Sequence, residues 1–198
     1  CGKARGFVRS SDARPGVKSD RIAAVVEGTD TAARRLELLA RAGEALARSL
    51  DPEDTLRAIA QTVVPAVADW CRIDLLDDDG QLQRRLAYHA DPARAEEALE
   101  LAKTLRAAPG TTGSMSWCVQ SGKAYYGRFD EPPASEDPAL RFYTQSFNMR
   151  AHYILPLVAR GRTIGAMGVV QAESGRDLSE ADRILVEELA CRAAMALD

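Results

Sequence analysis

Two apolar runs flanking Arg160-Gly161-Arg162 constrain this 198-residue chain more than any other feature. Tyr153 to Val158 reads Y-I-L-P-L-V, and Ile164 to Val170 reads I-G-A-M-G-V-V. Neither run keeps a polar alternation, so each fits a strand covered on both faces. Gly161 supplies the turn of an antiparallel hairpin. Ser179, with Asp182 three residues on, resembles a capping box that would open a final helix. A sheet centred on this hairpin needs helices on one face and a second layer on the other. What that second layer holds is the functional question.

The rest of the chain supplies the parts. Ala32 to Leu50 reads as a helix, with Leu36, Leu39, Gly43, Leu46 and Leu50 on a heptad seam that suits a paired helix as well as a sheet-covering one. Asp51-Pro52-Glu53-Asp54 caps a second helix running to about Ala68, with Pro65 framing its last turn. Trp70 to Leu76 and Leu82 to His89 read as a hairpin around Asp77-Asp78-Asp79-Gly80, the second strand placing Leu82, Arg84, Leu86 and Tyr88 on one face. That acidic turn lacks the ligand spacing of a calcium loop. Helices follow at Ala93 to Arg106, Ser114 to Gln120 and Ala139 to Phe147, with a strand at Ala124 to Phe129. From Ala190 onward the last helix is apolar almost all round, including Ala194 and Leu197. A second helix, from this chain or another, should cover that excess. Residues 1–31 are the least determined, although Arg21 to Glu27 has strand composition.

Composition removes several function classes. The net charge is −3 and no Lys/Arg cluster appears, which argues against nucleic acid as a partner. No apolar run approaches the ~20 residues of a membrane span, and no signal peptide is visible. The first residue is Cys1 rather than Met, as expected of a segment from a longer protein. The cysteines Cys1, Cys71, Cys118 and Cys191 form no C-x-x-C pair, so neither a zinc site nor a disulfide framework is expected. A reducing, cytoplasmic setting suits them. No Walker loop, G-x-G-x-x-G or Ser-His-Asp order is present.

D-W-C-x-x-D-L-L-D-D-D-G at Asp69 to Gly80, P-L-V-A-R-G-R-T-I-G-A at Pro156 to Ala166, and S-E-A-D-R-I-L-V-E-E-L-A at Ser179 to Ala190 together resemble a bacterial GAF domain, over about residues 36–198. The resemblance implies an α+β fold over residues 32–198. It would have a central antiparallel sheet of five or six strands, the first and last helices on one face, and short helices roofing a ligand pocket on the other. It also implies a sensory or regulatory module of a multidomain signalling protein, ahead of a histidine kinase or serine phosphatase output domain. A homodimer through the outer helices is implied too, with Leu36, Leu39, Gly43, Leu46, Leu50, Ala194 and Leu197 at the interface. Residues 1–31 resemble a linker or the degenerate last hairpin of a PAS domain. The Asn-Lys…Phe…Asp-Glu signature of cyclic-nucleotide binders and the Asp-Ile-Pro motif of bilin binders are absent, so no cofactor is assigned.

The residues expected to wall the pocket are Met115, Trp117, Cys118, Tyr125, Phe142, Tyr143, Met149 and His152. An apolar wall with a few polar groups is the usual small-molecule design, and the rival expectation is a filled roof in a purely structural dimerisation spacer. His152 could meet a ligand, and haem ligation would need a second axial group that the sequence does not offer. Cys118 could serve a redox enzyme only if its thiol were acidified, and its neighbours Trp117 and Val119 supply no cation. No catalytic residue and no metal site are expected in this segment.

Overall fold

The computed structural model describes residues 33–44, 51–104, 110–129 and 138–197, with backbone alone at 101–104, 139, 140 and 143. Contacts divide the chain between Leu36 and Glu37, and the fold below is that of the unit Glu37–Asp198. The strand expected at Arg21 to Glu27 and the PAS-like hairpin expected within residues 1–31 lie outside the described residues.

Residues 33–44 form helix α1. Then come α2 (Pro52–Val63), β1 (Trp70–Leu76), β2 (Leu82–His89), α3 (Pro92–Thr104), α4 (Met115–Ser121), β3 (Tyr125–Arg128), α5 (Pro138–Ser146), β4 (Ala151–Ala159), β5 (Arg162–Gln171) and α6 (Glu180–Ala196). The five strands make one antiparallel sheet in the order β2-β1-β5-β4-β3. The expected hairpin is β4–β5, and β5 is its central strand. Arg160 and Gly161 both take positive φ, 45° and 76°. That pair is the type I′ geometry whose twist matches antiparallel strands, and glycine meets it at no steric cost. Pro156 fits within β4 because β3 pairs only as far as Ile154. Its missing N–H therefore falls on an open edge.

Helices α2 and α6 cover one face of the sheet. Asp51 caps α2 by accepting the Glu53 and Asp54 N–H groups at 2.7 and 3.3 Å. This helix stops at Val63, before Pro65, rather than near Ala68, since the residue ahead of a proline is pushed out of helical geometry. The capping box at Ser179 and Asp182 is formed. Leu56, Ile59 and Val63 of α2 and Leu185, Val186 and Leu189 of α6 bury themselves against Cys71, Ile73, Leu155, Leu157, Met167 and Val169 of the sheet. Burial of this apolar surface is the main stabilising term, at about 25 cal/mol per Å².

Part of the apolar excess of α6 is covered from within the chain, while Cys191, Met195 and Ala196 stay exposed. Leu38 and Ala42 of α1 join the same core as Ala190, Ala193 and Ala194. The Arg192 guanidinium donates Nη1–H to the Leu39 carbonyl at 3.2 Å. So the inward stripe of α1 runs through Leu38 and Ala42, not along the heptad seam. Leu36 is 68% exposed, Leu39 is partly buried against the core, and Gly43 lies beside Arg192. Ala194 is fully buried and Leu197 partly so. Leu46 and Leu50 lie outside the described residues.

A register shift in the β1–β2 ladder pairs Ile73 with Leu86 and Asp74 with Arg84, leaving Arg85 as an extra residue. This bulge breaks the expected single face of β2. Leu86 and Tyr88 pack into the helix-covered core, whereas Leu82 and Arg84 turn to the opposite side.

Candidate functional site

The face of the sheet away from α2 and α6 carries a cavity of about 580 Å³, within the usual range for small-molecule sites. Its floor comes from alternate residues of the strands: Trp70, Arg72, Asp74 and Leu76 of β1, Leu82 and Arg84 of β2, His152 and Ile154 of β4, and Gly168 and Val170 of β5. Alternation along each strand sends the intervening residues to the opposite core. The roof comes from Gly113 to Ser116, Val119 and Gln120 around α4, with Ala98 of α3 on one side and Phe147 and Met149 on another. Ser114 caps α4, its Oγ accepting the Trp117 N–H at 3.1 Å and lying 2.9 Å from Ser116 Oγ.

Among the described residues, one charged cluster stands in this otherwise mostly apolar lining. Asp74 is 2% exposed, and its two oxygens take the Nε and Nη2 of Arg72, the Nε contact at 2.8 Å. Arg84 Nε stands 3.7 Å from the same carboxylate, and Arg84 Nη1 donates to the Ala98 carbonyl at 3.3 Å. The side chain of Arg72 is 37% exposed, so the buried carboxylate holds it from behind.

Three of the residues expected on the pocket wall line the cavity: Met115, Met149 and His152. The others do not. Trp117 packs edge-on against Tyr125, at 5.8 Å between ring centres. Cys118 is fully buried in a cluster with Met115, Ile154 and Ala166. Phe142 is 47% exposed, and the side chain of Tyr143 lies outside the described residues. Sequence reasoning missed Trp70, Arg72, Asp74, Arg84 and Phe147. The available signal was the i, i+2 pair Arg72 and Asp74 inside the apolar run W-C-R-I-D-L-L, because charges repeated on one face of a buried strand need a reason.

His152 is 5% exposed, set between Tyr125 and Phe129 with ring centres 5.4 and 4.8 Å away. Its cross-strand partner is Gly127, whose absent side chain makes room for it. A Cβ there would stand 2.9 Å from His152 Nε2. That Nε2 is buried without a hydrogen bond. Burial pushes the imidazole down to about 4, so the ring is neutral at physiological pH. Burial also pushes the Cys118 thiol up to about 11 and that of Cys71 to about 12, which leaves both protonated and poor nucleophiles. No group of three or more His, Cys, Asp or Glu able to hold a metal occurs among the described residues. No helix there is long and apolar enough to cross a membrane.

A five-stranded antiparallel sheet with helices on one face and a roofed cavity on the other is the architecture of GAF domains. The GAF domain family profile matches residues 49–198, and the chain belongs to that family. Among solved structures, the chain is similar to the GAF domain of a phosphoenolpyruvate-protein phosphotransferase from Coxiella burnetii. The identity there is 18% and the TM-score 0.61, over 82% of this chain and 92% of that one. It is also similar to a domain of a putative two-component sensor histidine kinase protein from Sinorhizobium meliloti, at 17% identity and TM-score 0.50, over 72% and 87% of the two chains. A third is the free methionine-R-sulfoxide reductase of Neisseria meningitidis, solved with its substrate, at 19% identity and TM-score 0.58, over 82% and 87%. Comparison with curated proteins gave no match.

Proposed function

We propose that this chain is a regulatory sensory module of a cytoplasmic signal-transduction protein and carries no catalytic activity of its own. The cavity takes a small molecule. The sheet passes the resulting change to α6 and α1 on its far side, and in a homodimer these helices hand it to an output domain of the kinase or phosphatase type. A ligand does this only through unequal affinity for two helix arrangements. The observation that carries the reading is the cavity of about 580 Å³ on the face opposite α2 and α6. The sensor-kinase name of one structural neighbour supports it. The buried, protonated Cys118 supports the absence of sulfur redox chemistry, although a reductase shares the fold.

A thermal-shift screen of small metabolites tests this, because a ligand bound to the native state raises the melting temperature. Ala98→Phe should fill part of the cavity and abolish the shifts. Hits that shift this variant as much as the parent chain, or a screen without hits, would overturn the reading.

A further inference from the structure

The charged corner of the cavity specifies what enters it, if the chain binds a small molecule as proposed above. Arg72 and Asp74 stand two apart on β1 and so face the same side of the sheet. Asp74 is buried, and it grips Arg72 through Nε and Nη2, leaving Nη1 uncommitted to that carboxylate. A guanidinium held this way is oriented before any ligand arrives, which removes much of the entropy cost of ordering a long side chain. Arg84 approaches the same carboxylate from β2, so Asp74 is shared between two cations. Most of the remaining described lining is apolar, including Trp70, Phe147, Met149, Met115 and Ile154. Among the described residues, the roof and the β1–β2 turn add only the neutral polar side chains of Ser114, Ser116, Gln120 and Gln81.

We propose that the cavity binds a small monocarboxylic acid with an aryl or branched apolar body, its carboxylate on Arg72 and its body against Trp70, Phe147 and Met149. A single charged corner in an apolar lining suits one acid group at the end of an apolar frame. It does not suit a polyanion, whose second charge would be desolvated without a partner. Nor does it suit an amine, which would face a guanidinium. The carboxylate–guanidinium pair is planar and charge-assisted, and out of bulk water it discriminates strongly against neutral isosteres.

Titration calorimetry and thermal shift on the 198-residue chain test this with phenylacetate and 3-phenylpropionate, each against its amide, together with benzylphosphonate and phenethylammonium. The acids should bind about tenfold or more tighter than the amides, as one charge-assisted hydrogen bond implies. In Arg72→Gln, which leaves the Asp74 carboxylate still facing Arg84, the acid-to-amide ratio should fall to about one while the amides still bind. Arg72→Lys, which keeps the charge without the planar fork, should retain part of the preference.

Equal binding of acids and amides by the parent chain overturns the inference while leaving a ligand-binding cavity intact. So does an unchanged ratio in Arg72→Gln. Tighter binding of benzylphosphonate than of phenylacetate replaces the carboxylate by a more highly charged acid and overturns it too. A lack of binding by every probe, charged or neutral, overturns the inference and counts equally against the sensing role.

Discussion

Asp69 Oδ2 accepts the Ala172 backbone N–H at 2.7 Å and so ties the residue before β1 to the residue after β5. The same oxygen accepts the Ser174 N–H and hydroxyl at 3.2 and 2.8 Å, and Oδ1 meets Arg176 Nη2 at 3.4 Å. Asp69→Ala should therefore destabilise the fold by about 2–3 kcal/mol at neutral pH, since buried donors lose their acceptor. Denaturant unfolding measures this, and an unchanged midpoint would show the clasp to be idle. Burial raises the Asp69 pKa, but the hydrogen bonds from Ala172 and Ser174 and the charge of Arg176 outweigh it, and the carboxyl is held below its ordinary 3.8. Its stabilising effect is present above that value and is lost as pH falls below it.

His152 gives a separate pH window. Its folded value of about 4 lies below the ordinary 6.5. The folded state thus prefers the neutral ring, and the contribution is complete above pH 6.5. Between that pH and about 4 the unfolded chain binds the extra proton, so stability should fall by up to about 1.4 kcal/mol per pH unit as pH drops. In His152→Phe this slope should vanish. Unfolding free energies of the two proteins, compared between pH 7 and 4, should converge on acidification; parallel curves would show that the ring titrates normally.

Thiol chemistry should follow burial. Cys191 is exposed, whereas Cys71 and Cys118 are fully buried. Mass-spectrometric mapping after a short alkylation should find Cys191 modified and Cys71 and Cys118 protected until denaturant is added. Rapid native labelling of Cys118 would revive a reactive-sulfur role.

The two faces of α1 should respond differently to charge. Ala42→Asp places a carboxylate in the core beside α6, where Ala42 is wholly buried, and should cost at least about 3 kcal/mol. Leu36→Asp, at a 68% exposed position, should change stability by no more than about 0.5 kcal/mol. If Leu36 sits in a homodimer seam, the same change should yield monomers in sedimentation at unchanged folding stability. A dimer that withstands Leu36→Asp would place any interface elsewhere.

The strands were readable because Tyr153–Val158, Ile164–Val170 and Trp70–Leu76 are too short and too β-branched or aromatic to be helices, and turn residues bound them. The final helix was readable from its capping box. The inward stripe of α1 was not. In R-R-L-E-L-L-A-R-A-G the apolar residues Leu36, Leu38, Leu39 and Ala42 spread round the cylinder, and only the neighbouring α6 decides which pair turns inward. The cavity was half readable. Met115, Met149 and His152 fell on its wall, but Trp117 and Tyr125 spend their surfaces on each other. Of its charged floor, Arg84 was hidden by the bulge at Arg85, which moves it to a different face from Leu86 and Tyr88 without any turn residue to announce it.

The position of β5 limits how this molecule can move. Hydrogen-bonded on both edges, it shows Gly168 and Val170 to the cavity while Met167 and Val169 enter the core. Sliding it by one step would exchange those two sets and expose the greasy pair. Motion between the two layers must therefore travel as a tilt or flexing of the intact sheet, a rigid lever whose rungs stay matched while its ends swing.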